Sequence, residues 1–172
     1  MMATGQGRTP PRVTLRPMSA EQFEKWQDRS IRSYADDLAR AKGQPPEAAL
    51  NRARAQFAAL LPDGMSTNKT WIRLIVDDAG VQVGDLWLGA DSERADVAYV
   101  YDIEIMQEHR GQGFGRAAMI AIESLVKEAG GTEIALNVFG FNEPARRLYD
   151  SLGYGVVQTV MAKTIQSPPL GQ

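Results

Sequence analysis

The stretch YDIEIMQEHRGQGFGRAAMIAIESL, residues 101–125, contains the change of pattern that decides the fold. Up to Ile105 its residues continue the apolar-rich run that begins at Val97 and is typical of a β-strand. From Gly115 the apolar positions follow a helical period instead. Glycines at 111, 113 and 115 separate the two patterns. The stretch therefore predicts a strand that passes through a glycine turn directly into a helix.

Such a turn can bind an anion. Glycines allow the backbone to curl around a phosphate without Cβ interference, and the N–H groups at the helix start carry partial positive charge. Arg110 and Arg116 flank the turn and could pair with the same anion. The alternative is a plain glycine-rich connection with two solvated arginines. The spacing matches neither G-x-x-x-x-G-K-[ST] nor G-x-G-x-x-G, so it favours neither a P-loop nor a Rossmann nucleotide site.

The rest of the chain alternates between strand and helix patterns. Ser19 and Gln22 predict a capping box at the start of a helix that could break near residues 29–30. Asn142 is the predicted N-cap of a later helix, with Pro144 in its first turn and Gly153 at its end. The predicted order is a strand at 12–18, helices within 19–43 and 47–61, strands at 70–78, 81–89 and 97–105, a helix from 115, a strand at 132–139, a helix after Asn142, and a last strand or two after Gly155.

Two pairing relationships follow from this order. The strands at 70–78 and 81–89 form an antiparallel hairpin. The strands at 97–105 and 132–139 are joined by a helix, so they are predicted to be parallel. Strict alternation puts the odd-numbered residues from Val97 to Ile105 on one face, and Asp102 and Glu104 on the other with Ala98 and Val100. A bulge would change which of them face a cleft.

Composition limits the classes of function. The 172 residues carry a formal net charge of −2, which gives no basic field for nucleic acid or an anionic membrane. There is no cysteine and a single histidine, His109, so cysteine nucleophiles, multi-histidine metal sites and Ser-His catalysis are not expected, and no metal is predicted. His109 is interpreted as an exposed loop residue. Without a signal-peptide pattern or an apolar run of membrane length, a cytoplasmic location is expected by default.

Two motifs together resemble the GNAT N-acetyltransferase superfamily. Its [Q/R]-x-x-G-x-[G/A] pattern is matched by Arg110, Gly113 and Gly115, between an apolar strand and an amphipathic helix. Its N-x-x-A-x-x-L-Y-x-x-x-G-[FY] block is matched further along by Asn142, Ala145, Leu148, Tyr149, Gly153 and Tyr154. The resemblance is specific over about residues 97–154.

The resemblance implies an α/β (α+β) fold with a central mixed, twisted sheet of six to seven strands, helices on both faces and two splayed parallel strands. It also implies one domain at 12–165, between disordered tails at 1–11 and 166–172. Residues 19–68 would then build much of the pocket for the acyl acceptor.

By the same resemblance, the co-substrate is acetyl-CoA or a close acyl-CoA. Backbone amides from Gln112 to Arg116 would hold its diphosphate, and backbone groups of Ile103 and Ile105 would pair with its pantetheine arm. Asn142 would contact that arm as well as capping its helix. The full set implied for coenzyme A is Ile103, Ile105, Arg110, Gly111, Gln112, Gly113, Phe114, Gly115, Arg116, Asn142 and Tyr149.

Acyl transfer to an amine needs a base for the ammonium proton and an acid for the leaving thiolate. Tyr149 matches the family's tyrosine and is the candidate acid, although its place on the apolar stripe of its helix is also typical of a core residue. Glu104 is the candidate base, with Asp102 and a water chain as alternatives. Some family members carry a glutamate five residues before the motif asparagine, where this chain has Asn137.

The implied reaction is therefore transfer of an acetyl group to a primary amine of a small molecule, a peptide or a protein. Asp36 and Asp37 weakly favour a cationic acceptor. A non-catalytic acyl-CoA-binding or regulatory module is the alternative function. Exposed strand edges near the C-terminus would permit a homodimer.

Overall fold

The computed structural model describes residues 9–91, 94 and 96–163. The tail predicted at 166–172 and most of the tail predicted at 1–11 lie outside these residues. The helices and strands are β1 (Val13–Pro17), α1 (Ala20–Lys42), α2 (Pro46–Leu60), β2 (Thr70–Asp77), β3 (Gln82–Ala90), β4 (Val97–Ile105), α3 (Phe114–Glu128), β5 (Glu133–Leu136) and α4 (Glu143–Ser151), with short 3-10 helices at Gly64–Ser66 and Gln107–His109.

The fold is α/β, with one mixed sheet between helices. Its described strands lie in the order β1-β2-β3-β4-β5. The first four are antiparallel neighbours, whereas β5 runs parallel to β4, as the strand–helix–strand pattern predicts. Among the described residues the sheet has five strands rather than six to seven, because residues 155–163 form no regular secondary structure and are exposed.

Each face of the sheet has its own core. On one face α3 packs Met119 and Ile122 against Leu86 and Leu88 of β3. On the other face α1 and α2 pack an aromatic cluster against Trp87 of β3. Helices thus cover both faces of the sheet. The two helical layers contact neighbouring residues of β3 and β4 from opposite faces.

Helix α1 begins and ends as its sequence predicts. Ser19 accepts a hydrogen bond from the Gln22 amide while the Gln22 side chain accepts one from Ser19, which is a complete capping box. The expected break near residues 29–30 is wrong, since the helix is continuous through them. Ser30 is buried within it and donates a hydrogen bond to Asp102, which explains why a polar residue stands on the inner face there.

Strand β4 contains a bulge that changes the facing of its residues. Trp87 pairs with Asp102 and Leu88 pairs with Val100, so Tyr101 has no residue opposite it on β3. Strict alternation is therefore wrong for this strand. Ala98, Val100, Ile103 and Ile105 all pack towards the α3 core, whereas Tyr101, Asp102 and Glu104 contact the side of α1 and its aromatic cluster.

Helix α4 begins at its predicted cap. The Asn142 side chain accepts a hydrogen bond from the Ala145 amide at 3.3 Å, and Pro144 lies in the first turn. Gly153 has a φ of +91°, a conformation that ends helices and favours glycine. The last strand predicted after Gly155 is not formed within residues 155–163, and residues beyond 163 lie outside the described chain.

Candidate active site

The glycine turn is exposed, and a side-chain hydrogen bond stabilises its conformation. Gly111 and Gly113 have φ values of +71° and +94°, which L-residues with a Cβ adopt only with strain. Both glycines and the Gln112 between them are exposed. The Gln112 side chain donates to the Glu108 carbonyl at 2.9 Å, so it braces the turn and lies outside the cleft.

The first turn of α3 faces outward from this bend. Gly113 is the N-cap residue, and no side chain among the described residues caps the helix. Its leading N–H groups therefore remain available to an anion, and the helix dipole adds partial positive charge. Gly115 lies close to α4, because a Cβ there would approach Leu148 to 3.2 Å.

The two flanking arginines already have partners. Arg110 donates to the Ile105 carbonyl at 2.8 Å and to the Glu104 carboxylate at 3.1 Å. Arg116 donates to the Ser151 hydroxyl at the end of α4. Both guanidinium groups are exposed, so they line the turn while bracing the structure around it.

The two parallel strands separate beside the turn. β4 pairs with β5 from Val97 to Val100, the last pair being Val100 with Leu136. Beyond that pair β4 continues for five residues, but residues 137–139 form no strand. The splayed opening implied by the sequence resemblance is therefore present, and its β4 side is formed by residues 101–105.

A cleft of about 1090 Å³ joins the turn and the opening. It reaches from the α3 N-terminus, between β4 and α4, to α1 and α2. Of the residues that the resemblance implies for coenzyme A or catalysis, all except Gln112 line it, namely Ile103, Glu104, Ile105, Arg110, Gly111, Gly113, Phe114, Gly115, Arg116, Asn142 and Tyr149.

A charged cluster lies at the inner end of β3 and β4. Asp85 is 1% exposed and directly opposite Glu104 in the sheet, and Arg29 of α1 contacts both carboxylates. Burial raises the pKa of Asp85 to about 6, and the hydrogen-bonded Arg29 guanidinium opposes that rise. Glu104 is paired with Arg110 as well, so its carboxylate is engaged by two cations.

Asp102 has a different environment on the same strand face. Its carboxylate accepts a hydrogen bond of 2.9 Å from the Ser30 hydroxyl. The pKa of Asp102 is raised to about 7, chiefly by burial and in smaller part by the negative charges of Asp85 and Glu104, while the Ser30 hydrogen bond and the charge of Arg29 oppose the rise. A carboxylate that titrates near neutral pH and lines the cleft is suited to accept a proton.

Tyr149 projects from α4 into the cleft. It is half-buried, packs against the α3 core and contacts the Tyr154 ring at 5.7 Å between centroids. Burial raises the pKa of Tyr149, and the nearby charge of Asp102 contributes to that rise. The phenol is therefore protonated at neutral pH and can donate a proton or a hydrogen bond.

The cleft beyond Asp102 has aromatic walls. Trp87 stacks on Tyr101 at 4.8 Å, and Tyr34 of α1 contacts Phe139 at 6.3 Å between ring centroids. Asp37 of α1 also lines this part of the cleft, and burial raises its pKa. This end of the cleft thus combines ring faces with acidic groups.

His109 and Asn137, both discussed from the sequence, also line the cleft. His109 is half-buried rather than exposed, because its ring packs edge-on against Phe114 at 5.9 Å between centroids. Asn137 is exposed and lines the cleft.

Sequence reasoning missed three residues of the charged cluster: Arg29, Ser30 and Asp85. Only Asp85 could have been recognised from the sequence. It is a charged residue within the apolar run of β3, and such a residue indicates a buried partner. Arg29 and Ser30 look like solvent-facing helix residues in the sequence, and only packing shows their targets.

Across the chain that the structure describes, no helix is long and apolar enough to span a bilayer. Nor do the described His, Asp and Glu side chains form a group of three or more that could hold a metal ion.

Comparison with known proteins agrees with this geometry. The model of the acetyltransferase (GNAT) family matches residues 31–154. The uncharacterised N-acetyltransferase YycN of Bacillus subtilis is 30% identical over 156 residues, which are 89% of this chain and 99% of YycN. The crystal structure of YycN has a TM-score of 0.85 over 90% of this chain and 99% of that one, at 28% identity.

A mycothiol acetyltransferase of Nocardiopsis dassonvillei is 31% identical over 157 residues, which are 86% of this chain but 44% of that protein. The family match covers both sequence motifs, the splayed strands and the helix that carries Tyr149. This chain belongs to the acetyltransferase (GNAT) family.

Proposed function

We propose that this protein transfers an acetyl group from acetyl-CoA to a primary amine, by direct attack of the amine on the thioester. The observation that carries the proposal is the splayed opening of β4 and β5 beside an exposed, uncapped helix N-terminus, within one cleft that also contains Asp102 and Tyr149.

The residues of the turn fit a diphosphate. The exposed backbone between Gly111 and Arg116 offers N–H donors at the positive end of the α3 dipole. The unpaired part of β4 offers main-chain groups of Ile103 and Ile105 to the amides of a pantetheine arm, as in strand addition. The carbonyl of Ile105 has one hydrogen bond from Arg110 and retains a second lone pair.

Asp102 is the proposed base. An amine arrives as its ammonium ion, with a pKa near 10.4 for a lysine-like group, and must lose a proton before it attacks. A carboxylate with a pKa of about 7 accepts that proton more readily than an ordinary carboxylate does, directly or through a water. Glu104, the first candidate from the sequence, is held by Arg29 and Arg110 and is better placed to orient the cluster.

Tyr149 is the proposed acid. Its phenol stays protonated at neutral pH because burial raises its pKa, and it lines the cleft on the α4 side. From there it can donate to the sulfur as the thiolate leaves. Asp102 and Tyr149 line the same cleft, from β4 and α4 respectively, and the charge of Asp102 acts on the phenol of Tyr149.

The acceptor is proposed to be a cationic primary amine. Ring faces of Tyr34, Tyr99 and Tyr101 attract an ammonium group through cation–π contacts, and Asp37 adds a negative charge. These groups recognise the charged form of the amine at the entrance, while Asp102 removes the proton further in. Small-molecule, peptide and protein amines all present this group.

The test is a panel of primary amines incubated with acetyl-CoA, with release of free thiol as the readout. Acceptor-dependent release supports transfer, and calorimetry with coenzyme A, ATP and NAD checks which carrier binds. Binding of coenzyme A without any release across polyamines, aminoglycosides and lysine peptides would favour the non-catalytic module. A protein with no affinity for coenzyme A would exclude both.

A further inference from the structure

A second cavity lies at the opposite end of α3 from the glycine turn. It has a volume of about 290 Å³ and opens between the last turn of α3 and the adjoining ends of β2, β3 and β4. α3 has 15 residues, which at 1.5 Å per residue place its two ends about 22 Å apart. Among the described residues, none lines both this cavity and the cleft of Asp102 and Tyr149. The cavity, called here the distal pocket, is therefore separate from that cleft.

The floor of the distal pocket is apolar. Leu88, Ala98 and Val126 are buried in the core beneath α3 and form part of the lining. Trp71 is half-buried beside this core and adds an aromatic ring. Ligand pockets of proteins are usually lined in this way, by apolar and aromatic side chains with a few polar groups. The distal pocket thus offers an apolar surface to a large aliphatic or aromatic side chain.

Two opposite charges lie at the rim of the distal pocket. Lys69 is exposed and has no ion pair with any carboxylate of the described residues. Asp96 is exposed too, and a 2.8 Å hydrogen bond from the Thr132 hydroxyl lowers its pKa, so it is charged at neutral pH. Thr132 and Arg94 both contact Oδ2 of Asp96, so Oδ1 can accept a hydrogen bond from a ligand.

The carbonyl end of α3 lies on the Asp96 side of the distal pocket. The Thr132 amide, which follows the end of the helix, donates to the Asp96 carbonyl at 2.9 Å. The last carbonyl groups of a helix have no partner within it and carry partial negative charge. Ala129, Gly130 and Gly131 line the pocket there. This side of the rim therefore favours a cationic group, whereas the Lys69 side favours an anionic one.

Lys69 has a backbone conformation that a lysine rarely adopts. Its φ is +53°, and within the described residues every other positive φ belongs to a glycine. The Lys69 carbonyl accepts a hydrogen bond of 3.1 Å from the Ala90 amide, which fixes residue 69 beside the end of β3. Residues held in such sparsely populated conformations are concentrated at ligand sites. Here the unusual conformation occurs at the residue that carries the unpaired cation of the rim.

We propose that the distal pocket binds a free α-amino acid with a large apolar side chain. The ligand carboxylate pairs with Lys69, its ammonium group pairs with Asp96 and the carbonyl end of α3, and its side chain lies on Trp71 and the apolar floor. A zwitterion satisfies both charges of the rim, whereas a simple carboxylate leaves Asp96 unpaired and a simple amine leaves Lys69 unpaired. The site goes beyond the proposed function, because no acetyl transfer is required for this ligand to bind.

The three tryptophans of the chain distinguish the two cavities in a titration. Trp71 lines the distal pocket, Trp87 lines the cleft, and Trp26 lies in the aromatic cluster on the other face of the sheet. The ¹⁵N-enriched full chain is titrated with L-phenylalanine and L-leucine without acetyl-CoA, and Trp71→Phe assigns the indole signal. We expect a saturable shift of the Trp71 indole signal with both amino acids. A Trp71 signal that neither amino acid moves would overturn the proposal, and a shift of Trp87 alone would place the amino acid in the cleft.

Single-charge analogues test the class of ligand at the same signal. Phenylacetate lacks the ammonium group of L-phenylalanine, and phenethylamine lacks its carboxylate. Each should bind at the distal pocket at least tenfold more weakly than L-phenylalanine, measured by the shift of the Trp71 indole signal. Equal affinity of either analogue would show that one of the two rim charges plays no part, and the proposal of a zwitterion would then be wrong.

A variant of Lys69 tests the rim directly. Lys69→Asn removes the cation and introduces a residue that tolerates the positive φ, so the fold should be retained. We expect the affinity for L-phenylalanine at the Trp71 signal to fall at least tenfold. Lys127→Gln is the matched control, because Lys127 is an exposed lysine in the last turn of α3 that does not line the distal pocket. It should change the affinity less than twofold, and a folded Lys69→Asn protein with wild-type affinity would overturn the assignment.

Discussion

Asp85 and Glu104 lie directly opposite each other on β3 and β4, and one arginine, Arg29 of α1, contacts both carboxylates. The arrangement ties the helical layer to the sheet at the inner end of the cleft. Asp102, the next residue on the same face of β4, accepts a hydrogen bond from the Ser30 hydroxyl instead. The cluster therefore separates two acidic roles, one structural and one suited to proton transfer.

Replacing Arg29 should destabilise the protein in a pH-dependent way. At pH 8, Arg29→Met leaves the buried Asp85 carboxylate without its cation and should lower the free energy of unfolding by about 3 kcal/mol. At pH 5, below the raised pKa of Asp85, the carboxyl is neutral and the loss should be much smaller. Urea titrations at both pH values measure this. Lys25→Met, which breaks an exposed ion pair with Glu21, should change stability by less than about 1 kcal/mol at either pH.

Asp102 should set the acidic limb of the pH–rate profile. Because its pKa is raised to about 7, the wild-type kcat/KM should increase with pH through that value, as the proton leaves Asp102. Asp102→Asn should lower the rate by about 100-fold and remove the inflection. Glu104→Gln should keep the inflection but move it to lower pH, since the charge of Glu104 helps to raise the pKa of Asp102. An inflection that survives in the first variant and disappears in the second would return the role of base to Glu104.

Asp102 should also make stability fall as pH rises. Its folded-state pKa of about 7 lies above the ordinary value of 3.8, so the folded protein holds a proton that the unfolded chain has lost between those values. The contribution of this residue to the free energy of unfolding should decrease by up to about 1.4 kcal/mol per pH unit across that window. Denaturation of wild type and Asp102→Asn from pH 4 to pH 8 isolates it. Parallel stability curves for the two proteins would contradict the assignment.

Tyr149→Phe should separate catalysis from binding. Loss of the phenol removes the proposed acid but little packing volume, so kcat should fall by about 100-fold while the affinity for acetyl-CoA changes less than about threefold. Tyr154→Phe is the control, because Tyr154 contacts the Tyr149 ring but does not line the cleft. Steady-state kinetics and calorimetry give both quantities. Equal turnover in Tyr149→Phe and wild type would remove Tyr149 from the mechanism.

Gly111→Ala should weaken coenzyme A binding in addition to lowering the stability of the fold. Gly111 has a φ of +71°, and a Cβ there would meet no atom within 4 Å, so the substitution strains only the backbone. Gly43→Ala is a close match, with a φ of +60° and the same open surroundings at the end of α1. Both should cost about 1–2 kcal/mol in stability. Only Gly111→Ala should reduce affinity in calorimetry, and equal affinities would place the diphosphate elsewhere.

Local patterns in the sequence were sufficient for most elements of the fold. The capping box of Ser19 and Gln22, the limits of β4 and the cap at Asn142 depend on residues that are near one another in the chain. The parallel pairing of β4 and β5 followed from the intervening helix. The last strand predicted after Gly155 is not formed within residues 155–163, because a strand pattern in the sequence does not by itself supply the backbone partners that a strand needs.

The sequence by itself determined the glycine turn, the helix that starts from it and the family motifs, because these depend on backbone freedom and short-range periodicity. Tertiary structure decided which carboxylates share a surface. A single bulge at Tyr101 turned Ile103 and Ile105 into the α3 core and Asp102 and Glu104 towards α1. Burial and neighbouring charges then gave those two acids different environments, and each acid contacts a residue of α1 more than fifty positions away in the chain.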